Sequence, residues 1–241
     1  MIKAIAAVLL VVAITADAGE MSIVASWRSP SNATMGIDYY GGYLYHATPG
    51  QDIINITTTS GSFVASLPDP SRAYDIDRTA IEFWTANGTG SGITRLSTVG
   101  SYIRGVATPG SLGRGVTYGE GCLWYATYIT APVVYRLTAN GSIMASFRLP
   151  GRSPGGLFWD ASTLWYADAA NPPPNGLIYH VTTTGSVIDS IAVPSTQPAG
   201  VTWQGQYLWY TDYKTHYVYQ VRYSPVAVSP ASLGRVKAMY R

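Results

Sequence analysis

Residues 163–168 read TLWYAD and residues 207–212 read YLWYTD. Further copies of the same run stand at 122–127 (CLWYAT), 82–87 (EFWTAN) and 43–48 (YLYHAT). A small residue opens the unit before each run: Gly36, Ala73, Gly115, Gly156 and Gly200, spaced 37, 42, 41 and 44 residues apart. A second apolar run follows each one: IINIT at 53–57, GITRL at 92–96, VVYRL at 133–137, LIYHV at 177–181 and VYQVR at 218–222. In four units a Gly turn and one more run come next: GSFVASL from 61, GSYIRGV from 100, GSIMASF from 141 and GSVIDSI from 185. These runs are short, alternating or β-branched, and bounded by Gly, Pro, Asn or Thr, which is a strand pattern. TTTSG, LSTVG, LTANG and VTTTG supply hairpin turns with Gly free to take positive φ.

Four antiparallel strands in each unit of about 40 residues make a propeller blade. The fifth unit ends at VRYSPV without its fourth strand. That strand is found at the other end of the chain, where Ser22–Trp27 (SIVASW) aligns with Ser62–Leu67 (SFVASL). The sequence therefore predicts an all-β, five-bladed β-propeller with four-stranded antiparallel blades, its ring closed by the N-terminal strand. The repeated LWYAD, LWYTD and LWYAT runs, with IY-like runs and TTTGSV turns after them, resemble the units of NHL-type and streptogramin-lyase-like propellers over residues 22–223. The resemblance implies the fold; it assigns no activity, since such units recur in proteins of many functions.

Composition agrees. Charged residues make up 12% of the 241, against a usual share of about 25%. There are 25 Gly, 15 Pro, 19 Tyr and 7 Trp, which argues against a helical bundle. The net charge of +2 carries no basic stripe, so a nucleic-acid partner is not expected. Residues 1–18 have a basic Lys3, an apolar stretch from Ile5 to Ile14 and a small-x-small end at Ala16–Ala18, the pattern of a secretory signal. The expected organisation is a signal peptide at 1–18, the propeller at 19–223 and a tail at 224–241. The mature protein would be secreted or at the cell surface, with no membrane contact after cleavage. Cys122, the single cysteine, reads as a small buried hydrophobe.

No catalytic or metal-binding set is legible. His46, His180 and His216 sit at unrelated offsets, and no HExxH, GxSxG or phosphate-loop spacing occurs. No cofactor is implied. Polar residues of the inner strands mark a ligand site at the channel mouth: Asp38, Arg72, Asp75, Arg114, Thr117 and Thr202. Asp38 and Asp75 are read at one offset in neighbouring blades, with turn capping or pairing to Arg72 as their structural role. Asp168 and Asp212, each ending a second strand, read as turn residues. Tyr39, Tyr118, Trp159 and Trp203 share one offset, which points to packing between blades, with sugar-binding platforms as the alternative.

From these features the expected function is non-enzymatic. The chain would be a secreted, self-assembling building block, such as a filament or surface-layer subunit, with a lectin-like glycan- or peptide-binding module as the alternative. Self-association would use Ile23 and Val24 of the peripheral strand and Val226, Leu233, Met239 and Tyr240 of the tail. The partners expected are further copies of the chain or an extracellular glycan.

Overall fold

The computed structural model describes residues 20–88, 92–110, 112–128, 131–169, 176–195 and 197–224. The signal expected at 1–18 and the tail residues Val226, Leu233, Met239 and Tyr240 lie outside these. Glu20–Arg28 forms β1. The first blade is Ile37–Tyr40 (β2), Tyr43–Thr48 (β3), Ile53–Thr58 (β4) and Phe63–Pro68 (β5). The second is Ala73–Arg78 (β6), Glu82–Asn87 (β7), Ile93–Ser97 (β8) and Tyr102–Val106 (β9). The third is Gly113–Gly119 (β10), Cys122–Thr127 (β11), Val133–Thr138 (β12) and Ile143–Arg148 (β13). Pro154–Trp159 (β14), Leu164–Asp168 (β15), Gly176–Val181 (β16) and Val187–Val193 (β17) make the fourth. The fifth combines Pro198–Gln204 (β18), Tyr207–Asp212 (β19) and Tyr217–Ser224 (β20) with β1. All pairings are antiparallel, and β2, β6, β10, β14 and β18 touch one another around a closed ring. The protein is a five-bladed β-propeller.

Blades adhere through the repeated tryptophan of the second strand. Trp84 stacks on Tyr118 of the next blade at 5.7 Å, and Trp124 stacks on Trp159 at 5.4 Å. Trp165 meets Trp203 edge-on at 5.1 Å, and Tyr39 packs in the cluster that holds Trp209. In the remaining gap Arg78 replaces the aromatic and lies over Tyr45 and Phe83 of the flanking second strands. The inner-strand aromatics are therefore packing residues, and the sugar-platform alternative falls. Trp84, Trp124 and Trp209 are at most 2% exposed, and burial of this size dominates core energetics. Cys122 is buried beside the Met144 sulfur.

Closure takes the expected form. Ser22 pairs with Arg222, Ile23 with Val221, Ala25 with Gln220 and Trp27 with Val218. Trp27 also meets Trp209 edge-on at 5.2 Å. Val24 is the extra residue of a β-bulge between Ile23 and Ala25. The same bulge recurs in the outer strands of the other four blades, at Val64, Ile103, Met144 and Ile188.

Ile23 and Val24, the residues expected to mediate self-association, lie at this bulge and are 46% and 48% exposed. The N-terminal strand completes its own ring, and a bulge twists each outer edge away from the flat geometry that a foreign strand needs. The apolar doublets at the bulges, such as Phe63–Val64 and Tyr102–Ile103, stay 45–61% exposed. Because Pro is accommodated at bulges, Val24→Pro should change stability by about 1 kcal/mol or less. Trp27→Ala should cost about 3 kcal/mol. Urea melts of the two variants check the closure: a larger loss for Val24→Pro would show that Val24 carries a ladder bond.

Candidate functional site: a cavity at the channel mouth

The five inner strands approach the axis in register at Gly36, Asp75, Gly115, Gly156 and Gly200. The position opening the second unit is thus Asp75, not Ala73. Asp75 stands seven residues before Glu82, as each axial glycine stands seven before its own second-strand run, and Ala73 pairs with Asn87 as Gly113 pairs with Thr127. The axis is too narrow for five side chains. A Cβ on Gly36 would stand 2.5 Å from the Asp75 Cα, and one on Gly200 would stand 2.5 Å from the Ile37 nitrogen. Four glycines give way to one carboxylate. Asp75 is fully buried, and its Oδ2 accepts the N–H groups of Val116 and Leu157 at 2.9 Å each, tying three blades together. Its Oδ1 faces Gly36 and Gly156 and has no described hydrogen-bond partner. Burial holds the Asp75 acid well above its ordinary range.

Two residues further along each strand lies a second ring: Asp38, Asp77, Thr117, Phe158 and Thr202. Asp38 therefore shares its offset with Asp77 and not with Asp75. Each polar member accepts a backbone N–H from the next blade: Asp38 from Arg78 at 2.7 Å, Asp77 from Tyr118, Thr117 from Trp159 at 3.2 Å and Thr202 from Tyr39 at 3.2 Å. Phe158 cannot accept one, and the ring breaks there. Thr202 donates its hydroxyl to Asp38 at 2.8 Å, and Thr117 donates to Asp77 at 3.0 Å. Burial pushes Asp38 up to about 6 and raises Asp77 well above its usual value, with the nearby Asp38 charge adding to the rise at Asp77.

Asp38, Asp75, Thr117 and Thr202 are thus buried staples of the ring rather than mouth residues. Neither aspartate pairs with Arg72, whose ion pair is with Asp52 at 3.1 Å.

Above the Asp75 layer the channel widens into a cavity of about 470 Å³. Its floor is the residue before each glycine or Asp75: Met35, Tyr74, Arg114, Gly155 and Ala199. Its wall includes the residue following the second strand in four blades: Pro49, Tyr128, Ala169 and Tyr213. Gly88 holds that place in the second blade and leaves room for the Tyr74 ring. Ser153 and Gln197 complete the rim, held by Asp168 and Asp212, which accept their N–H groups at 3.2 and 3.0 Å. Asp212 also accepts the Thr215 N–H at 2.6 Å, the local turn bond that the sequence suggested, whereas Asp168 reaches the Ser153 segment instead of a local turn. Burial raises Asp168 to about 6.

Of the six expected mouth residues, only Arg72 and Arg114 line the cavity. The Arg114 guanidinium lies over the rings of Tyr74 and Tyr128, 4.3 and 4.6 Å from their centroids. Arg114 forms no ion pair among the described residues. No described Asp, Glu, His or Cys lines the cavity, and no described cluster of these residues could hold a metal. His46 is fully buried on Thr57 and pushed down to about 3 by burial, so it is a neutral core residue. His180 stacks on Trp165 at 4.0 Å, away from the mouth.

No family model matches the chain, and no curated protein matches it. Among solved structures it is similar to the glutaminyl cyclase of Myxococcus xanthus, with a TM-score of 0.71 and 14% identity over 87% of this chain and 98% of that one. It is also similar to the PQQ-bound aldose sugar dehydrogenase of Streptomyces coelicolor (TM-score 0.54, 12% identity, 87% of this chain and 100% of that one). A third likeness is to a chain of a nidogen/laminin complex (TM-score 0.53, 18% identity, 77% and 74%). At these identities the likeness establishes the propeller fold. Two of these neighbours, the glutaminyl cyclase and the sugar dehydrogenase, are enzymes, which runs against the expectation of a non-enzymatic, self-assembling building block.

Removing the axial carboxylate should leave two buried amides without acceptors. Asp75→Ala is expected to cost about 2–4 kcal/mol, whereas Asp75→Asn, which keeps an acceptor, should cost about 1 kcal/mol or less. Equal losses in chemical denaturation would contradict the staple. Asp38 has a folded pKa of about 6, above its ordinary 3.8. Its contribution to stability is complete below pH 3.8 and is lost as pH rises through 6. Asp38→Asn should therefore flatten the fall in stability between those pH values, and an unchanged slope would contradict the assignment.

Proposed function

We propose that the chain handles a small organic molecule in the mouth cavity, as a propeller enzyme does. The observation that carries this reading is the cavity itself, a single concavity to which all five blades contribute and which Asp75 seals below. Its volume of about 470 Å³ falls in the range of small-molecule sites. The wall alternates apolar residues, such as Met35 and Pro49, with the phenols of Tyr74, Tyr128 and Tyr213 and the Arg114 guanidinium. The guanidinium can only donate hydrogen bonds, and each phenol can donate one as well. A donor set in a sheltered cavity suits a substrate or intermediate that carries negative charge, which it would stabilise by preorganised electrostatics. The propeller enzymes of similar shape support this reading at the level of architecture.

The test is to fill the cavity without disturbing the ring. Ala169 stands on the wall and is partly exposed. Ala169→Trp should keep the wild-type melting temperature to within a few degrees and abolish binding or turnover of whatever the wild-type protein selects from a metabolite extract followed by mass spectrometry. A selected compound that Ala169→Trp binds and converts as the wild type does would place the working site elsewhere.

A further inference from the structure

Resting on that reading of the cavity, we propose that its ligand is a small organic carboxylate and that Arg114 is the group that binds it. Arg114 follows Gly113 and precedes the axial Gly115, so the strand delivers its side chain to the cavity floor. The guanidinium carbon stands over the rings of both Tyr74 and Tyr128, an arrangement that suits its delocalised charge. Its planar edge is left to make hydrogen bonds. The single described polar neighbour of that edge is the Met35 sulfur, 4.0 Å from Nη1, a weak acceptor.

The Nε atom is buried and unpartnered among the described residues. Arg114 is half-buried on the cavity floor, and no described carboxylate neutralises it; a sheltered charge of this kind favours an anionic partner. The missing partner is a group that can meet a planar fork edge-on, and a carboxylate does so with two parallel hydrogen bonds. Arg72 is the other cation of the cavity. It is exposed, lies in the left-handed region at φ 55°, and is already neutralised by Asp52. The cavity therefore offers one uncompensated positive charge, fit for a monoanion. Apolar wall residues, Pro154, Pro198 and Ala199 among them, suit an apolar body on that anion.

The experiment is calorimetric titration of the full chain with hexanoate, benzoate, 3-phenylpropanoate and indole-3-acetate, and with the matched primary amides. At least one carboxylate should bind, and its amide should bind at least about ten-fold more weakly. Arg114→Gln should lose that affinity about ten-fold or more, Arg114→Lys should recover only part of it, and Arg72→Gln should bind as the wild type does. If Arg114→Gln does not fold, the comparison of Arg114→Lys with wild type carries the test, with about ten-fold loss expected from the missing fork. Amides that bind as tightly as acids, or Arg114 variants that bind as wild type, would overturn the carboxylate assignment while leaving the cavity as the site. If no acid or amide binds at millimolar concentration, and Ala169→Trp fails to block the compound selected from extract, the cavity reading fails as well.

Discussion

A five-membered ring of β-strands cannot fit five side chains at its axis, and the fold resolves that crowding with one buried carboxylate among four glycines. Asp75 occupies the space that Gly36, Gly115, Gly156 and Gly200 vacate. It also accepts amides from two other blades, so the residue that fills the axis is the one that ties it together. Taking a carboxyl group out of water is costly unless it is hydrogen-bonded, and its neutral form is favoured there. The next layer applies the same device around the circle, with Asp38, Asp77, Thr117 and Thr202 each accepting an amide of the following blade. The inner strands pair on one side only within their own blades, and these side chains take up N–H groups that would otherwise be buried and unpaired.

The sealed axis also shapes the mouth. Because Asp75 closes the channel, the space above it is a cup instead of a tunnel, and the cup is floored by the five residues that precede the axial ring. The carboxylates are engaged below the floor, and the donors are in the floor, with Arg114 and Tyr74, and in the wall, with Tyr128 and Tyr213. That separation explains how a chain can carry several buried acids near its axis and still present a cavity whose described lining bears net positive charge.

The repeat made the architecture readable from sequence, since aromatic second strands and Gly turns recur in every blade and the missing fourth strand of the last unit reappears at Ser22–Trp27. Its failures have physical causes. A rule of smallness at every unit points to Ala73 as the axial residue. The actual constraint acts on the five positions jointly and allows one aspartate if the other four are glycine. Asp75 keeps the seven-residue spacing to its second-strand run that the four glycines keep, and only its size set it apart. Asp38, Thr117 and Thr202 were read as ligand groups because polar residues on an inner strand suggest a channel lining, yet the neighbouring blade's amides use them. Arg114 was legible, but its tyrosine partners were not. Tyr128 shares an offset with Pro49, Ala169 and Tyr213, and such varied residues at one position give no visible repeat. The bulges of the outer strands were not legible either, because a bulge cannot be read from alternation alone.

Amide hydrogen exchange at Val116 and Leu157 tests the axial claim most directly. Held by Asp75 at the centre of the ring, these two amides should exchange only when the whole domain unfolds, with protection equal to the slowest in the protein. Exchange of either amide through local opening, faster than that of second-strand amides such as Leu123 or Leu208, would show that Asp75 does not hold the axis and that the cup has no sealed floor.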